Sequence, residues 1–321
     1  VLRDVKRVIR DHRTFLITSH LNPDADGIGS SVALAELLLM QEKQVRLCFD
    51  SHIPSNLLFL DFHGLFERYS EDRSYDEVEV VIVLDTNRYE RIGRVVDLLT
   101  DDRVSVCVDH HKMAAPFTDV SAIDEEACSV GAQIYTLFKE SGYPLNERAA
   151  MGIYASVVSD TGRFSYSSTS RKAHKLADEC LKLGVDPETM HDQLYRQVPT
   201  EQLELFARVL AQREYHLGGR VLVQTISMGD CLETGANADD VDYMHEFQKT
   251  LKEIDCAVIL RELEGRVRVS VRANIDWRID RAMNALGGGG HAKAAGATVE
   301  GSLSEVKKRV LEQLSLLSNG A

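Results

Sequence analysis

The sequence predicts an α/β protein: a domain built on a parallel sheet, followed by a smaller α/β domain toward the carboxy-terminal end. Three observations carry this. Short β-branched runs, Phe15 to Thr18, Val78 to Leu84 and Val104 to Val108, alternate with helical stretches, the order that makes βαβ units and a parallel sheet with helices on both faces. The runs lack the polar alternation of a strand with one wet face, so they read as strands covered on both sides. Each is followed closely by an acid or an imidazole, at His20, Asp85 and Asp109-His110-His111, and open α/β sheets collect ligands at the carboxyl ends of their strands.

In chain order, Leu2, Val5, Val8 and Ile9 have helical spacing, and Phe15 to Thr18 is the first strand. Asp26 to Ser31 is a polar loop leading into a helix over Val32 to Met40. Gln44 to Phe49 and Val78 to Leu84 are strands, Arg91 to Leu99 is a helix, and Val104 to Val108 is a strand. Helices follow over Glu126 to Ser141, stopped by Gly142, over Asn146 to Val158, capped by Asn146, and over Lys172 to Leu183, closed by Gly184. Asp186-Pro187 has the cap-then-proline order of a helix start. Gln197 to Thr200 is the candidate linker, with a connecting helix from Glu201 to about Arg213. Beyond it lie strands at Val221 to Ser227, Cys256 to Leu263 and Arg266 to Arg272, a helix near Asp240 to Leu251, and an amphipathic helix from Ser304 to Leu317. The division expected is a catalytic domain at 1–195, a linker and connecting helix at 196–215, and a second domain at 216–321.

A chain of 321 residues, 44% hydrophobic and 27% charged, can bury a core in each of two domains. Its six cysteines are scattered without a Cys-x-x-Cys pair, which argues against a disulfide framework or a cysteine zinc site and for a reducing cytoplasm. The charged stretch Val1 to Phe15, and the lack of an apolar run of roughly 18 residues, predict neither export nor a membrane span. The net charge of −13 is the most informative bulk quantity. Affinity for long duplexes rests on neutralised phosphates and released counterions, so this chain should bind long nucleic acid poorly. Any phosphate partner should be short.

The strand ends and the segment after the fifth predicted helix bring together His20, Asp24, Asp26, Asp85, Asp109, His110, His111 and Asp160. Any one of them alone reads as an ordinary helix cap or packing histidine. Five carboxylates at one place would repel one another and be costly to desolvate, and bound cations resolve that. Oxygen and imidazole donors without thiolate suit Mn²⁺, Mg²⁺ or Fe²⁺ rather than structural zinc. Two such cations roughly 3.5 to 4 Å apart would need a bridging carboxylate. Asp85, alone at its strand end, is the natural bridge. Gly27 and Gly29 permit close backbone approach at a helix amino terminus that favours anions.

His20-Leu-Asn-Pro-Asp24-Ala-Asp26, Asp85-Thr-Asn, Asp109-His110-His111 and Ser159-Asp160-Thr-Gly resemble, in this order, the four motifs of the DHH phosphoesterases. The resemblance implies a phosphodiesterase or phosphatase with two divalent ions, most often Mn²⁺. It implies that His20, Asp24 and Asp85 hold one ion, while Asp26, Asp85, His110 and Asp160 hold the other. His111 would contact the scissile phosphate or protonate the leaving oxygen, and Asp109 would orient the imidazoles from behind.

In the second domain, Arg268, Ser270 and Arg272 alternate with valines and so share one face of a strand. The run Gly287-Gly288-Gly289-Gly290-His291 leaves backbone amides accessible, and with Lys293 nearby it could cradle a phosphate. Its Gly-Gly-Gly-His and Ala-Ala-Gly pattern resembles the DHH-associated domain. Together the two halves resemble the nanoRNase family, oligoribonucleases that also dephosphorylate pAp (adenosine 3′,5′-bisphosphate), in which the small domain grips a terminal phosphate across a cleft. Arg272, His291, Asn274, Arg268, Gly289 and Gly290 are the implied substrate contacts. Arg163 has no assigned role.

The resemblance and the acidic charge together predict hydrolysis of very short 5′-phosphorylated, single-stranded oligonucleotides to nucleoside 5′-monophosphates, and 3′-phosphatase action on pAp, in the cytoplasm. Three alternatives stay open: a phosphodiesterase of cyclic or linear dinucleotides, an inorganic pyrophosphatase of the manganese type, and a nucleotide- or RNA-binding sensor without catalysis. Ser170-Arg171-Lys172 matches a pyrophosphatase motif in the wrong domain and reads as coincidence. A homodimer is compatible with the sequence.

Overall fold

Strands with apolar side chains on both faces form the centre of the first of two units, Val1–Gln197 and Val198–Ala321. The computed structural model describes residues 2–112, 115–197, 199–236, 242–275 and 277–318. The first unit runs α1 (Arg3–Asp11), β1 (Thr14–Thr18), α2 (Ala25–Met40), β2 (Gln44–Phe49), β3 (Phe66–Arg68), β4 (Val80–Leu84), β5 (Val104–Asp109), β6 (Val120–Ile123), α3 (Val130–Ser141), α4 (Glu147–Asp160), α5 (Arg171–Lys182) and α6 (Pro187–Tyr195). Its strands pair in the order β3-β2-β1-β4-β5-β6, each neighbour parallel. All of β4 is buried. Val80, Ile82 and Leu84 join Phe15 and Ile17 in the main helix-covered core, while Val81 and Leu16 face a second cluster with Tyr69, Tyr75, Val95 and Leu98.

That second cluster corrects one expectation. The stretch Arg91 to Leu99 forms no α-helix; two short 3₁₀ segments, Tyr89–Arg91 and Gly93–Leu98, cover this face instead. Gly93, the first residue of the second segment, has φ +62°, and a Cβ there would fall 2.3 Å from an Asp50 carboxylate oxygen. The helix predicted from Val32 begins earlier, at Ala25, because the Asp24 side chain accepts from the N–H groups of Asp26 and Gly27. The helix predicted from Glu126 begins later, at Val130, with Ser129 as its cap. Two short edge strands, β3 and β6, were too brief to show periodicity.

The second unit runs α7 (Thr200–Ala211), β7 (Glu214–His216), β8 (Val221–Ile226), α8 (Met228–Thr234), α9 (Asp242–Lys249), β9 (Cys256–Leu263), β10 (Arg266–Ala273), α10 (Ile279–Asn284), β11 (Gly289–His291), β12 (Ala294–Glu300) and α11 (Leu303–Ser318). Its sheet has the order β11-β12-β10-β9-β8-β7, with only β8 and β9 parallel. Val267, Val269 and Val271 of β10 pack with Met283, Val306, Val310 and Leu314. Leu205 and Val209 of α7, the helix read as a connector, pack with Ile226 and Ile259, so α7 shares this unit's core. No helix among the described residues is long and apolar enough to cross a membrane.

Candidate metal centre

In the first unit the chain leaves β1 toward β2 and β3, then returns to lay β4 on the other side of β1. Sheets of this kind open a crevice at that reversal, beyond the strands' carboxyl ends. His20 follows β1, Asp85 follows β4, and Asp109 ends β5. Asp85 takes a left-handed φ of +62°, uncommon for a residue with a side chain.

Asp85 faces two sets of donors. Its Oδ2 lies 3.3 Å from His20 Nε2, with Asp24 Oδ1 3.9 Å from the same nitrogen. Its Oδ1 lies 3.7 Å from His110 Nε2, which is also 3.6 Å from Asp26 Oδ2 and 3.0 Å from Asp160 Oδ2. Among the described residues, three groups have ligand atoms within 4.8 Å of one another: His20, Asp24 and Asp85; Asp26, His110 and Asp160; and Asp85, Asp109, His110 and His111. Asp24 comes from the α2 cap, Asp26 from the first turn of α2, and Asp160 from the last residue of α4.

The donor set fits divalent cations. Nδ1 of His20 donates to the Leu21 carbonyl and Nδ1 of His110 to the Ala127 carbonyl, which turns each Nε2 toward the acids, where loss of its proton would free a lone pair for a cation. His110 Nε2 and Asp85 Oδ1 are buried without a hydrogen-bond partner. Burial raises the Asp85 carboxyl to about 6, with the Asp24 charge adding to it. Burial and the charges of Asp85 and Asp160 hold Asp26 well above the usual carboxylate range. Burial alone would lower His20 and His110, but the surrounding acids lift both to about 10. Protons thus gather where cations would otherwise balance the charge.

Asp109 differs from the other acids. It is fully buried, and its Oδ1 accepts from the His110 N–H at 2.8 Å, the His111 N–H at 3.3 Å and His111 Nδ1–H at 2.8 Å. The His111 hydrogen bond offsets burial and lowers the Asp109 carboxyl. His111 is the more exposed imidazole, its ring 4.7 Å from that of His110.

In the second unit, Arg268, Ser270 and Arg272 lie on the face of β10 opposite its buried valines. Arg268 donates to Thr298 Oγ1 at 3.2 Å, and Arg272 to the Val271 carbonyl at 3.1 Å. Asn274 lies just past β10, where its side-chain amide donates to the Ile254 carbonyl at 2.7 Å. The glycine run is not an open loop. Gly289 and Gly290 belong to β11 and pair with Gly296 and Ala295 of β12. A Cβ on Gly290 would fall 2.5 Å from the Ala294 carbonyl oxygen, and one on Gly288 2.1 Å from that of Gly296, so close strand approach demands glycine here. The side chain of His291 lies outside the described residues.

Residues 14–158 match the family model described as "DHH family, N-terminal domain", and residues 218–317 match the DHHA1 domain. The chain carries a DHH domain followed by a DHHA1 domain. It is 28% identical over 298 residues to a Thermus thermophilus protein named "Bifunctional oligoribonuclease and PAP phosphatase NrnA", covering 92% of this chain and 87% of that one. The Bacillus subtilis protein of the same name is 29% identical over 302 residues, covering 91% of each chain. A solved exopolyphosphatase-related protein from Bacteroides fragilis has the same fold, with TM-score 0.92, 23% identity and coverage of 99% of this chain and 97% of that one.

The DHH domain also contains supporting residues that sequence reasoning did not single out. Gln133 Nε2 donates to the Asp109 carbonyl at 2.8 Å, and Asn87 Nδ2 reaches the His111 and Lys112 carbonyls at 3.2 Å each. Ser129 and Ser156 stand behind Asp26. Only Asn87, beside Asp85-Thr86, carried any motif signal. Arg163 stacks its guanidinium over the Tyr195 ring, 5.0 Å from the centroid, in a turn where Gly162, Arg163 and Phe164 all have positive φ.

Proposed function

We propose that this protein is a two-metal phosphodiesterase that hydrolyses very short 5′-phosphorylated oligonucleotides to nucleoside 5′-monophosphates and removes the 3′-phosphate of pAp. The observation that carries the reading is the division of donors around Asp85, one oxygen toward His20 and the other toward His110. Similarity to curated oligoribonucleases over most of the chain supports the substrate class. Asp85 would bridge two ions, one held also by His20 and Asp24, the other by Asp26, His110 and Asp160. The oxygen and imidazole donors suit Mn²⁺, Mg²⁺ or Fe²⁺, and the resemblance to the DHH phosphoesterases favours Mn²⁺. Bound there, the cations acidify a water and neutralise charge on phosphate.

The chain's own residues do the rest. His111, held by Asp109, contacts the scissile phosphate and hands a proton to the leaving oxygen; the Asp109 carboxylate stabilises the charged imidazole and fixes its orientation. Arg272, with Arg268, Asn274, His291 and the outward-facing edge of the Gly289–Gly290 strand, takes the terminal phosphate. A net charge of −13 disfavours long polyanions. Six cysteines with no disulfide among them, five of them buried, suit a reducing cytoplasm.

Purified chain with Mn²⁺ is incubated in parallel with a 5′-phosphorylated dinucleotide, a long oligonucleotide, pAp and pyrophosphate. Turnover of the dinucleotide and pAp is expected. Cleavage of pyrophosphate alone would make it a pyrophosphatase, and binding without any cleavage would make it a sensor; either result ends this reading.

A further inference from the structure

Asp26 is fully enclosed, and its carboxylate is held from behind by donors that are not metal ligands. Val130 N–H donates to Oδ2 at 2.9 Å, Gly131 N–H to Oδ1 at 3.3 Å, and the Ser156 hydroxyl to Oδ1 at 2.6 Å. Ser156 Oγ itself accepts from Gly131 N–H at 3.0 Å and lies 2.8 Å from Ser129 Oγ, which accepts from Ala132 N–H at 3.3 Å. A hydroxyl has one proton to give. Ser156 gives its proton to Asp26, so the proton between the two serines comes from Ser129. Both serines are fully buried.

Two close approaches make this chain of hydroxyls possible. A Cβ on Gly131 would fall 2.2 Å from Ser156 Oγ, so only glycine lets that hydroxyl lie against the start of α3. A Cβ on Gly29 would fall 2.3 Å from the Gly152 carbonyl oxygen, so glycine also lets α2, which carries Asp26, approach α4, which carries Ser156.

We propose that Ser156, braced by Ser129, is a positioning residue that makes Asp26 a one-oxygen ligand. It ties Oδ1 into the protein, while Oδ2, which accepts from Val130 N–H, keeps a lone pair 3.6 Å from His110 Nε2 to face the cation. The inference rests on the two-metal reading above. Without this hydroxyl the carboxylate keeps only the N–H groups of Val130 and Gly131, its short contact on Oδ1 is lost and its cation has a less firmly oriented ligand, while the His20, Asp24 and Asp85 group is untouched.

The test is Mn²⁺ binding to the full chain by calorimetry and electron paramagnetic resonance, without substrate. Ser156→Ala is expected to weaken one class of Mn²⁺ site by about 10- to 100-fold, the usual cost of losing a partner behind a metal ligand, and to leave the other class within about twofold. Ser129→Ala, which keeps the Asp26 contact, is expected to show a smaller loss in the same class. Unchanged Mn²⁺ binding by folded Ser156→Ala overturns the proposal, as does equal weakening of both classes, which marks a merely structural role. Should Ser156→Ala fail to fold, Ser129→Ala decides: loss in one class supports the tether, and unchanged binding overturns it. A wild-type chain that binds no Mn²⁺ refutes the metal reading itself, and the inference falls with it.

Discussion

Asp85→Asn removes one charge while nearly preserving shape, and the structure predicts opposite effects with and without metal. The Asp85 side chain is 3% exposed, and burial, with the nearby Asp24 charge, raises its carboxyl from 3.8 to about 6. Above that pH, ionised Asp85 therefore costs the metal-free fold roughly 3 kcal/mol relative to the unfolded chain. Replacing it with neutral Asn should raise the melting temperature of metal-free protein at pH 8 by roughly 6 to 12 °C. A buried acid with a raised folded pKa is stabilising when protonated and loses that contribution as pH rises through the folded value, so the difference between variant and wild type should shrink as pH falls toward about 4. With Mn²⁺ the order should reverse. At a hundred times its dissociation constant, the ion adds roughly 2.7 kcal/mol per site to wild type, and the variant loses the carboxylate that both sites share. Scanning calorimetry of both proteins, chelated and Mn²⁺-loaded, with turnover of a 5′-phosphorylated dinucleotide, is the assay. A metal-free variant that melts below wild type at pH 8, or a loaded variant with wild-type turnover, refutes the reasoning.

His20 and His110 keep protons up to about 10 in the metal-free chain, so a cation must displace them; Mn²⁺ affinity should rise between about pH 6 and pH 9. Calorimetry in buffers of different ionisation enthalpy should register the released protons, and a pH-independent affinity would contradict the site's electrostatics. Arg272→Ala should raise KM for a 5′-phosphorylated dinucleotide by about 10- to 100-fold with little change in kcat, the signature of lost charge-assisted phosphate binding. An equal effect on the unphosphorylated dinucleotide would assign Arg272 another task. Gly152→Ala puts a Cβ 2.5 Å from the Gly29 carbonyl oxygen, and the separation of α2 from α4 should cost about 1 to 3 kcal/mol by urea denaturation. An unchanged midpoint would show that the helices part without penalty.

Much of the first unit was legible because its signals are local. Apolar runs covered on both faces, an acid or imidazole just beyond each, and caps such as Asn146 and Asp186 are read within a few residues. The second unit was less legible. Glycines at 287–290 look like a loop to any local rule, yet Gly289 and Gly290 form a strand because β12 lies too close for a side chain. Arg91 to Leu99 has helical spacing, but the left-handed φ of Gly93 divides it into two 3₁₀ segments.

By itself the sequence determined which side chains could meet at the strand ends, since chain order and strand polarity send His20, Asp85 and Asp109-His110-His111 to one edge of a parallel sheet. Only the tertiary structure decided what each acid does there. Asp26 and Asp109 are both buried aspartates, but Oδ1 of Asp109 is taken up by its own neighbours, while the carboxylate of Asp26 is met by donors 104 and 130 residues away. Those partners have no sequence periodicity linking them to Asp26. They are brought together by helices approaching through glycine, which no local pattern specifies.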